Sequence, residues 1–305
     1  MKIAYALPKE TLANEFLVTL YPEWTADKIF SKTGIASRHV VAEGESAVDL
    51  AEMAAKKLFA TQSVNNREID FLLLCTQSSE YKLPSSSCLL QSRLEIPTTA
   101  GALSFDHGCS GFVYGLSLAK GLIVGGMARN VLLVTAETYT KYIGPEDKAT
   151  RTIFGDGAAA VLIDREAATK IGAFSFGTDG TGAERLIVRD DRLHMDGPDI
   201  FNFTLDIVPR TMEDVLMKNN LNRGDIDFYV FHQANKFMLD TIRKINGLPR
   251  DRFYVNLETT GNTVSSTIPI ALRQLAEAGK LKPGMKVMLM GFGVGLSWGA
   301  TIIEI

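Results

Sequence analysis

Short runs of consecutive apolar residues alternate along this chain with longer stretches whose apolar positions recur every three or four residues. Phe71–Leu74, Val131–Val134 and Ala158–Ile163 are runs of the first kind, and Phe228–Phe231, Val287–Met290 and Ala300–Ile305 follow in the second half. Runs of this length without polar alternation predict strands buried on both faces. Between them, Ala47–Leu58 is apolar at Leu50, Ala51, Ala54, Ala55 and Leu58, which is one face of a helix. Similar spacing predicts helices over Phe112–Gly126, Ile207–Met217, Lys236–Ile245 and Ile268–Ala278. Strands and helices in alternation predict a layered α/β fold, with no low-complexity linker to divide it.

The pattern repeats once. Ile69–Gln77 resembles Ile226–Gln233 at an offset of 157, and Asn130–Val134 matches Lys286–Met290 at an offset of 156. Buried strands look alike by chance, but two matches at nearly one offset favour duplication. The chain is therefore expected to consist of two similar α/β halves, residues 1–165 and 166–305.

Composition narrows the picture a little. With 305 residues the chain can bury a large core, and 46% hydrophobic with 22% charged residues describes an ordinary globule. A net charge of −3 gives no reason to expect nucleic acid or an anionic membrane as partner. Three cysteines, none in CxxC spacing, cannot build a disulfide framework, and a reducing cytoplasm fits them best. The apolar start at Met1 is too short for a signal peptide, and no membrane span is expected. No His/Cys/Asp grouping has metal-ligand spacing. Gly291-Phe292-Gly293-Val294-Gly295 precedes a strand, so it does not read as a dinucleotide fingerprint.

The chemistry centres on Cys109. It stands in Asp106-His107-Gly108-Cys109-Ser110-Gly111-Phe112, at the start of a predicted buried helix. A thiol there faces unpaired N–H groups and the positive end of the helix dipole, which favours the nucleophilic thiolate. The other two cysteines, Cys75 and Cys88, read as small buried hydrophobes. Downstream, His232 follows a predicted strand in Phe231-His232-Gln233-Ala234-Asn235, and Asn262 follows Gly261. A lone histidine there is more often structural and an asparagine after glycine more often a turn residue. In this order, cysteine, histidine and asparagine together read as a covalent acyl-transfer site.

The motifs together resemble the thiolase superfamily, and most closely its β-ketoacyl-acyl-carrier-protein synthase III family. The likeness includes Lys32-Thr33-Gly34-Ile35, Cys109–Phe112, Phe154-Gly155-Asp156-Gly157-Ala158, His194-Met195-Asp196-Gly197, His232–Asn235, Gly261-Asn262-Thr263 and Ser297-Trp298-Gly299. It implies a five-layered αβαβα fold of two duplicated halves. It also implies an acyl group on Cys109, followed by decarboxylative Claisen condensation with malonyl-acyl carrier protein. By the same likeness, the N–H groups of Cys109 and Val294, in the loop with Gly293, hold the oxyanion, while His232 and Asn262 hold the enolate. Phe154 walls the malonyl carboxylate. Asparagine donates a hydrogen bond without acting as a base, which suits decarboxylation.

The resemblance further implies a cytoplasmic homodimer that needs no cofactor and uses coenzyme A or carrier-protein thioesters. It places substrate contacts at Lys28, Lys32, Lys148, Phe154 and Leu83. Where the usual member stacks coenzyme A adenine between tryptophan and arginine, this chain has Lys28 and Lys148. Lysine binds phosphate but cannot stack, so a carrier-protein donor is the alternative to coenzyme A. Leu83 stands where short-chain members often place phenylalanine, which leaves room for a longer or branched acyl group. Lys236, Arg243 and Lys244 share one helix face, which fits an acidic carrier protein and equally a solvated surface. A papain-type hydrolase is disfavoured because Cys109 lies far from the N-terminus and outside that family's motif. A specialised acyltransferase of secondary metabolism and an acyl-holding subunit of a heteromeric synthase stay open.

Overall fold

Apolar runs with no polar alternation form strands covered on both faces, and the chain builds two such sheets. The computed structural model describes residues 1–305. In the first half the chain runs β1 (Lys2–Ala6), β2 (Glu10–Ala13), α1 (Asn14–Leu20), α2 (Ala26–Thr33), β3 (Ser37–Val40) and α3 (Ala47–Gln62). It continues through β4 (Phe71–Cys75), α4 (Ser86–Arg93), β5 (Gly101–Phe105), α5 (Gly111–Val124), β6 (Val131–Glu137), α6 (Lys148–Arg151) and β7 (Gly157–Ile163). The second half begins α7 (Arg165–Thr169), β8 (Ile171–Thr178), β9 (Leu186–Arg189), β10 (Arg192–Met195) and α8 (Gly197–Lys218). It ends with β11 (Phe228–Phe231), α9 (Lys236–Ile245), α10 (Thr267–Glu277), β12 (Lys286–Gly293) and β13 (Ser297–Glu304).

The first sheet has the order β1-β7-β6-β4-β5 and the second, read from its other edge, β8-β13-β12-β11. Each joins an antiparallel edge pair to a parallel pair, β4 with β6 and β11 with β12. Beside β11, where the first sheet has β5, Phe253 makes a single parallel bridge to Tyr229. Helices α5 and α10 touch strands of both sheets and form the middle layer. Helices α3 and α4 cover the outer face of the first sheet, and α8 covers that of the second, with α9 packed against α8. These are the five layers of an αβαβα fold with two duplicated halves.

Three large clusters fill the spaces between layers. One joins Phe112, Val113 and Leu116 of α5 to strand residues of both sheets, Leu73 and Leu289 among them. Burying each such side chain stabilises the fold by roughly 1.5–3 kcal/mol. Another, under α8 and α9, includes Cys109, Phe154 and Phe292. The site thus sits at the edge of a hydrophobic core.

Two elements differ from expectation. Helix α8 starts at Gly197, ten residues before the predicted Ile207, because Asp196 accepts from the Asp199 N–H and Pro198 occupies the first turn. Cys88, expected to be buried, is exposed on α4, whose buried positions are Ser86, Ser87 and Leu90.

Candidate active site

Cys109, the candidate nucleophile, is positioned by a turn and a helix. Gly111 N–H donates to the Gly108 carbonyl at 2.7 Å, and α5 starts directly after Cys109 and Ser110. The C-terminal end of β12 packs against it. A Cβ on Gly291 would stand 2.5 Å from the Cys109 carbonyl oxygen, and one on Gly293 2.9 Å from Cys109 Sγ. Only glycine permits that approach. Ser110 Oγ donates to Ser297 Oγ at 2.8 Å, and Ser297 Oγ donates to the Val294 carbonyl at 2.8 Å. This chain of hydroxyls fastens the glycine turn to the helix start.

Burial pushes the Cys109 thiol up to about 12, with the N–H groups of Val294 and of Cys109 itself opposing it. The sequence favoured a thiolate at the helix start. Desolvation outweighs the donors because Cys109 is 4% exposed among apolar side chains. The resting group is a thiol.

His232 lies just past β11, its N–H bonded to the Met290 carbonyl at 2.8 Å and its ring edge-on to Phe292. Burial lowers its imidazole to about 3, against the raising influence of the Val264 carbonyl, so the ring is neutral. Nδ1 stands 2.7 Å from Thr267 Oγ1. Asn262 is held by its backbone, which donates to the Ile153 carbonyl at 2.9 Å and accepts from the Gly155 N–H at 3.0 Å. Its Oδ1 accepts from the Val264 N–H at 2.9 Å, which turns Nδ2 toward His232 Nε2 at 3.5 Å.

Cys109, His232, Asn262, Phe154, Phe292 and Gly293 line one cavity of about 450 Å³. Its only titratable lining groups are Cys109 and His232, and no lysine, arginine or carboxylate reaches it. The exposed Phe237 stacks on Phe201 at its wall, ring centroids 5.3 Å apart. Val294 lines a neighbouring cavity of about 290 Å³.

The remaining sequence-derived candidates lie outside this cavity. Lys28, on α2, stands 5.6 Å above the Trp24 ring. Lys148 is paired with Glu23 and lies over Tyr21. Lys32 is exposed in the last turn of α2, and Leu83 is 82% exposed before α4. Lys236 and Arg243 line a separate surface cleft of about 370 Å³ with Arg250 and Lys280, while Lys244 is exposed beside it.

Several contributors carried no local signal. Glu137 is fully buried at the end of β6, accepting from Ser265 Oγ at 2.9 Å, Ser78 Oγ at 3.0 Å and the Gln77 N–H at 3.1 Å. Burial raises its carboxyl to about 8, and its hydrogen bonds oppose the rise. Thr267 and Val264 also act through contacts distant in sequence or through backbone geometry. Val264 has φ of 54°, a left-handed conformation unusual for a β-branched residue.

The chain is similar to known proteins over most of its length. The profile of the 3-oxoacyl-[acyl-carrier-protein (ACP)] synthase III family matches residues 104–180, and that of the same enzyme's C-terminal region matches residues 216–305. A β-ketoacyl-[acyl-carrier-protein] synthase III of Clostridium perfringens is 33% identical, over 98% of this chain and 96% of its own. A crystal structure of a 3-oxoacyl-(acyl-carrier-protein) synthase III is 47% identical, with a TM-score of 0.97 over 99% of this chain and 98% of that one. The β-ketoacyl-acyl-carrier-protein synthase III of Thermus thermophilus is 31% identical, with a TM-score of 0.93 over 99% and 98%.

Proposed function

Because the chain belongs to the 3-oxoacyl-acyl-carrier-protein synthase III family and is a condensing acyltransferase of thiolase fold, we propose that Cys109, His232 and Asn262 carry its two half-reactions. In the first, Cys109 Sγ bonds to the acyl carbon as the donor thioester's C–S bond breaks. The thiol proton leaves with the donor thiol. The tetrahedral oxyanion is met by the N–H groups of Cys109 and Val294, which hold the thiol's pKa down against burial.

In the second half-reaction the C–C bond to the malonyl carboxylate breaks and carbon dioxide departs. The electron pair passes into an enolate whose oxygen accepts from Asn262 Nδ2 and His232 Nε2. Thr267 supports the placement of the ring: its Oγ1 stands 2.7 Å from Nδ1, which holds Nε2 toward Asn262. The enolate carbon then attacks the acyl carbonyl, the bond to Sγ breaks, and Cys109 regains a proton from solvent. The 3-oxoacyl chain leaves on its carrier.

One observation carries the reading: the cavity holds a thiol, a neutral imidazole and an amide, with no fixed charge along its lining. A malonyl carboxylate entering it is desolvated without a counter-ion, which favours its loss as carbon dioxide. Phe154 supplies part of that apolar wall.

The chemistry requires no cofactor. The partner of the reading is acyl carrier protein, with Lys236, Arg243 and Lys244 offered to its acidic surface, and the working unit is a cytoplasmic homodimer to which Leu83 is presented. No helix is long and apolar enough to cross a membrane. Lys148 is engaged with Glu23 and Lys28 with Trp24, which favours a carrier-protein donor over coenzyme A among the contacts at Lys28, Lys32 and Lys148. The duplicated halves, 1–165 and 166–305, meet within the first turn of α7.

Release of labelled carbon dioxide from carboxyl-labelled malonyl-carrier protein tests the reading. It should require an acyl donor and Cys109 and fall with His232→Ala. Release independent of His232 and Asn262 would overturn the assignment.

A further inference from the structure

The smaller cavity beside the nucleophile has a polar end that the two half-reactions leave unused. It encloses about 290 Å³, shares Leu186 with the Cys109 cavity, and is bounded by Val294 and Gly295, which follow directly on Gly293 at Cys109 Sγ. An acyl chain on that sulphur that ran past Val294 would enter it. Most of its wall is aliphatic, but Gln77, Asp106, Tyr139 and Tyr142 also line it.

Gln77 is fixed from three sides. Its backbone N–H donates to buried Glu137 at 3.1 Å, and its carbonyl accepts from Tyr142 Oη at 3.4 Å. Its side-chain Oε1 accepts from the buried Tyr139 hydroxyl at 2.5 Å. A Cβ on Gly108 would lie 2.6 Å from that same Oε1, so the carboxamide abuts the residue preceding the nucleophile. With Oε1 taken, Nε2 keeps its two N–H donors, and no group of the chain accepts from them. The Asp106 carboxylate in the same wall can only accept when ionised.

A hydrocarbon tail would cover these groups without pairing them, which is unfavourable. A hydroxyl both accepts and donates, so its oxygen can take a bond from Gln77 Nε2 while its proton is given to the exposed Asp106 or to water. We propose that this cavity selects an acyl group bearing a hydroxyl, with Gln77 as the specificity-determining residue. The inference rests on acylation of Cys109 and adds the class of acyl group accepted.

The test follows the Cys109 adduct by intact mass as the protein competes for equal amounts of butyryl and 3- or 4-hydroxybutyryl donors, on carrier protein and on coenzyme A. One of the hydroxylated donors should acylate at least about tenfold faster than butyryl, as a site built around a hydroxyl rejects the analogue lacking it. Gln77→Leu should bring that ratio to about one. Tyr139→Phe, which frees Gln77 Oε1 while keeping the ring, should reduce it. A wild-type protein that takes butyryl as fast as both hydroxylated donors would overturn the inference and leave the acylation reading intact. Absence of an adduct from every donor would overturn both.

Discussion

Asn262 Nδ2 stands 3.5 Å from His232 Nε2, and both side chains are set by Val264 and its neighbours. The Val264 N–H fixes the Asn262 amide, and its carbonyl lies 3.1 Å from Thr267 Oγ1, which meets the imidazole at 2.7 Å. A strained residue between two functional ones is thus part of the site's construction. The pairing separates the half-reactions. His232→Ala should lower condensation by about 10²–10³-fold, the effect of losing one oxyanion donor, while Cys109 still takes the acyl group. Single-turnover acylation measured beside carbon dioxide release checks this.

Thr267 holds the imidazole in its orientation rather than touching substrate. Thr267→Val should cost roughly tenfold in kcat, the worth of one buried hydrogen bond, with little change in KM. Thr267→Ser, which keeps the hydroxyl, should restore it. A variant that loses KM and kcat together would point to general loosening instead.

The thiol of free Cys109 is held up at about 12 by burial. Its alkylation by iodoacetamide should therefore keep rising with pH through 7 to 10 with no plateau. A plateau below pH 7 would mean that the helix dipole and the two N–H groups outweigh desolvation.

At Gly293 the expected defect is local. A Cβ there meets Cys109 Sγ at 2.9 Å, and φ is +155°. Gly293→Ala should reduce acylation by about a hundredfold, since misplacing the donors is as costly as losing one. Circular dichroism should show the fold retained.

Glu137 makes stability fall with rising pH. Its carboxyl, about 8 when folded against an ordinary 4.5, binds a proton in the native state after the unfolded chain has lost it. Its contribution is present below about 4.5 and lost as pH rises to about 8. Asp156, raised to about 6, acts in the same direction over the lower part of that range. Between pH 6 and 8 the fall in melting temperature should disappear in Glu137→Gln. An unchanged slope in that variant would contradict the assignment.

The elements that frame the site could be read along the chain because each is a local pattern. The predicted Lys236–Ile245 is helix α9 to the residue, and Phe228–Phe231 is strand β11. Cys109 and His232 were visible at the junctions of such elements. Gln77, Glu137, Val264 and Thr267 were not, because their meaning lies in partners far along the chain, as with Glu137 and Ser265, or in a backbone angle that residue type does not announce. The thiol's environment was misjudged for a related reason. A helix start can be read from sequence, but burial depends on what Phe154, Phe292 and Gly293 bring from elsewhere.

The central claim is that an acyl group rests on Cys109 and is discharged by a malonyl unit. Intact mass spectrometry follows it directly, with the protein and Cys109→Ala incubated with acyl-carrier donors and then with malonyl-carrier protein. The expected result is one acyl adduct, absent in Cys109→Ala, that disappears as 3-oxoacyl-carrier forms. An adduct on the alanine variant, or one on Cys109 that malonyl-carrier cannot discharge, would contradict it.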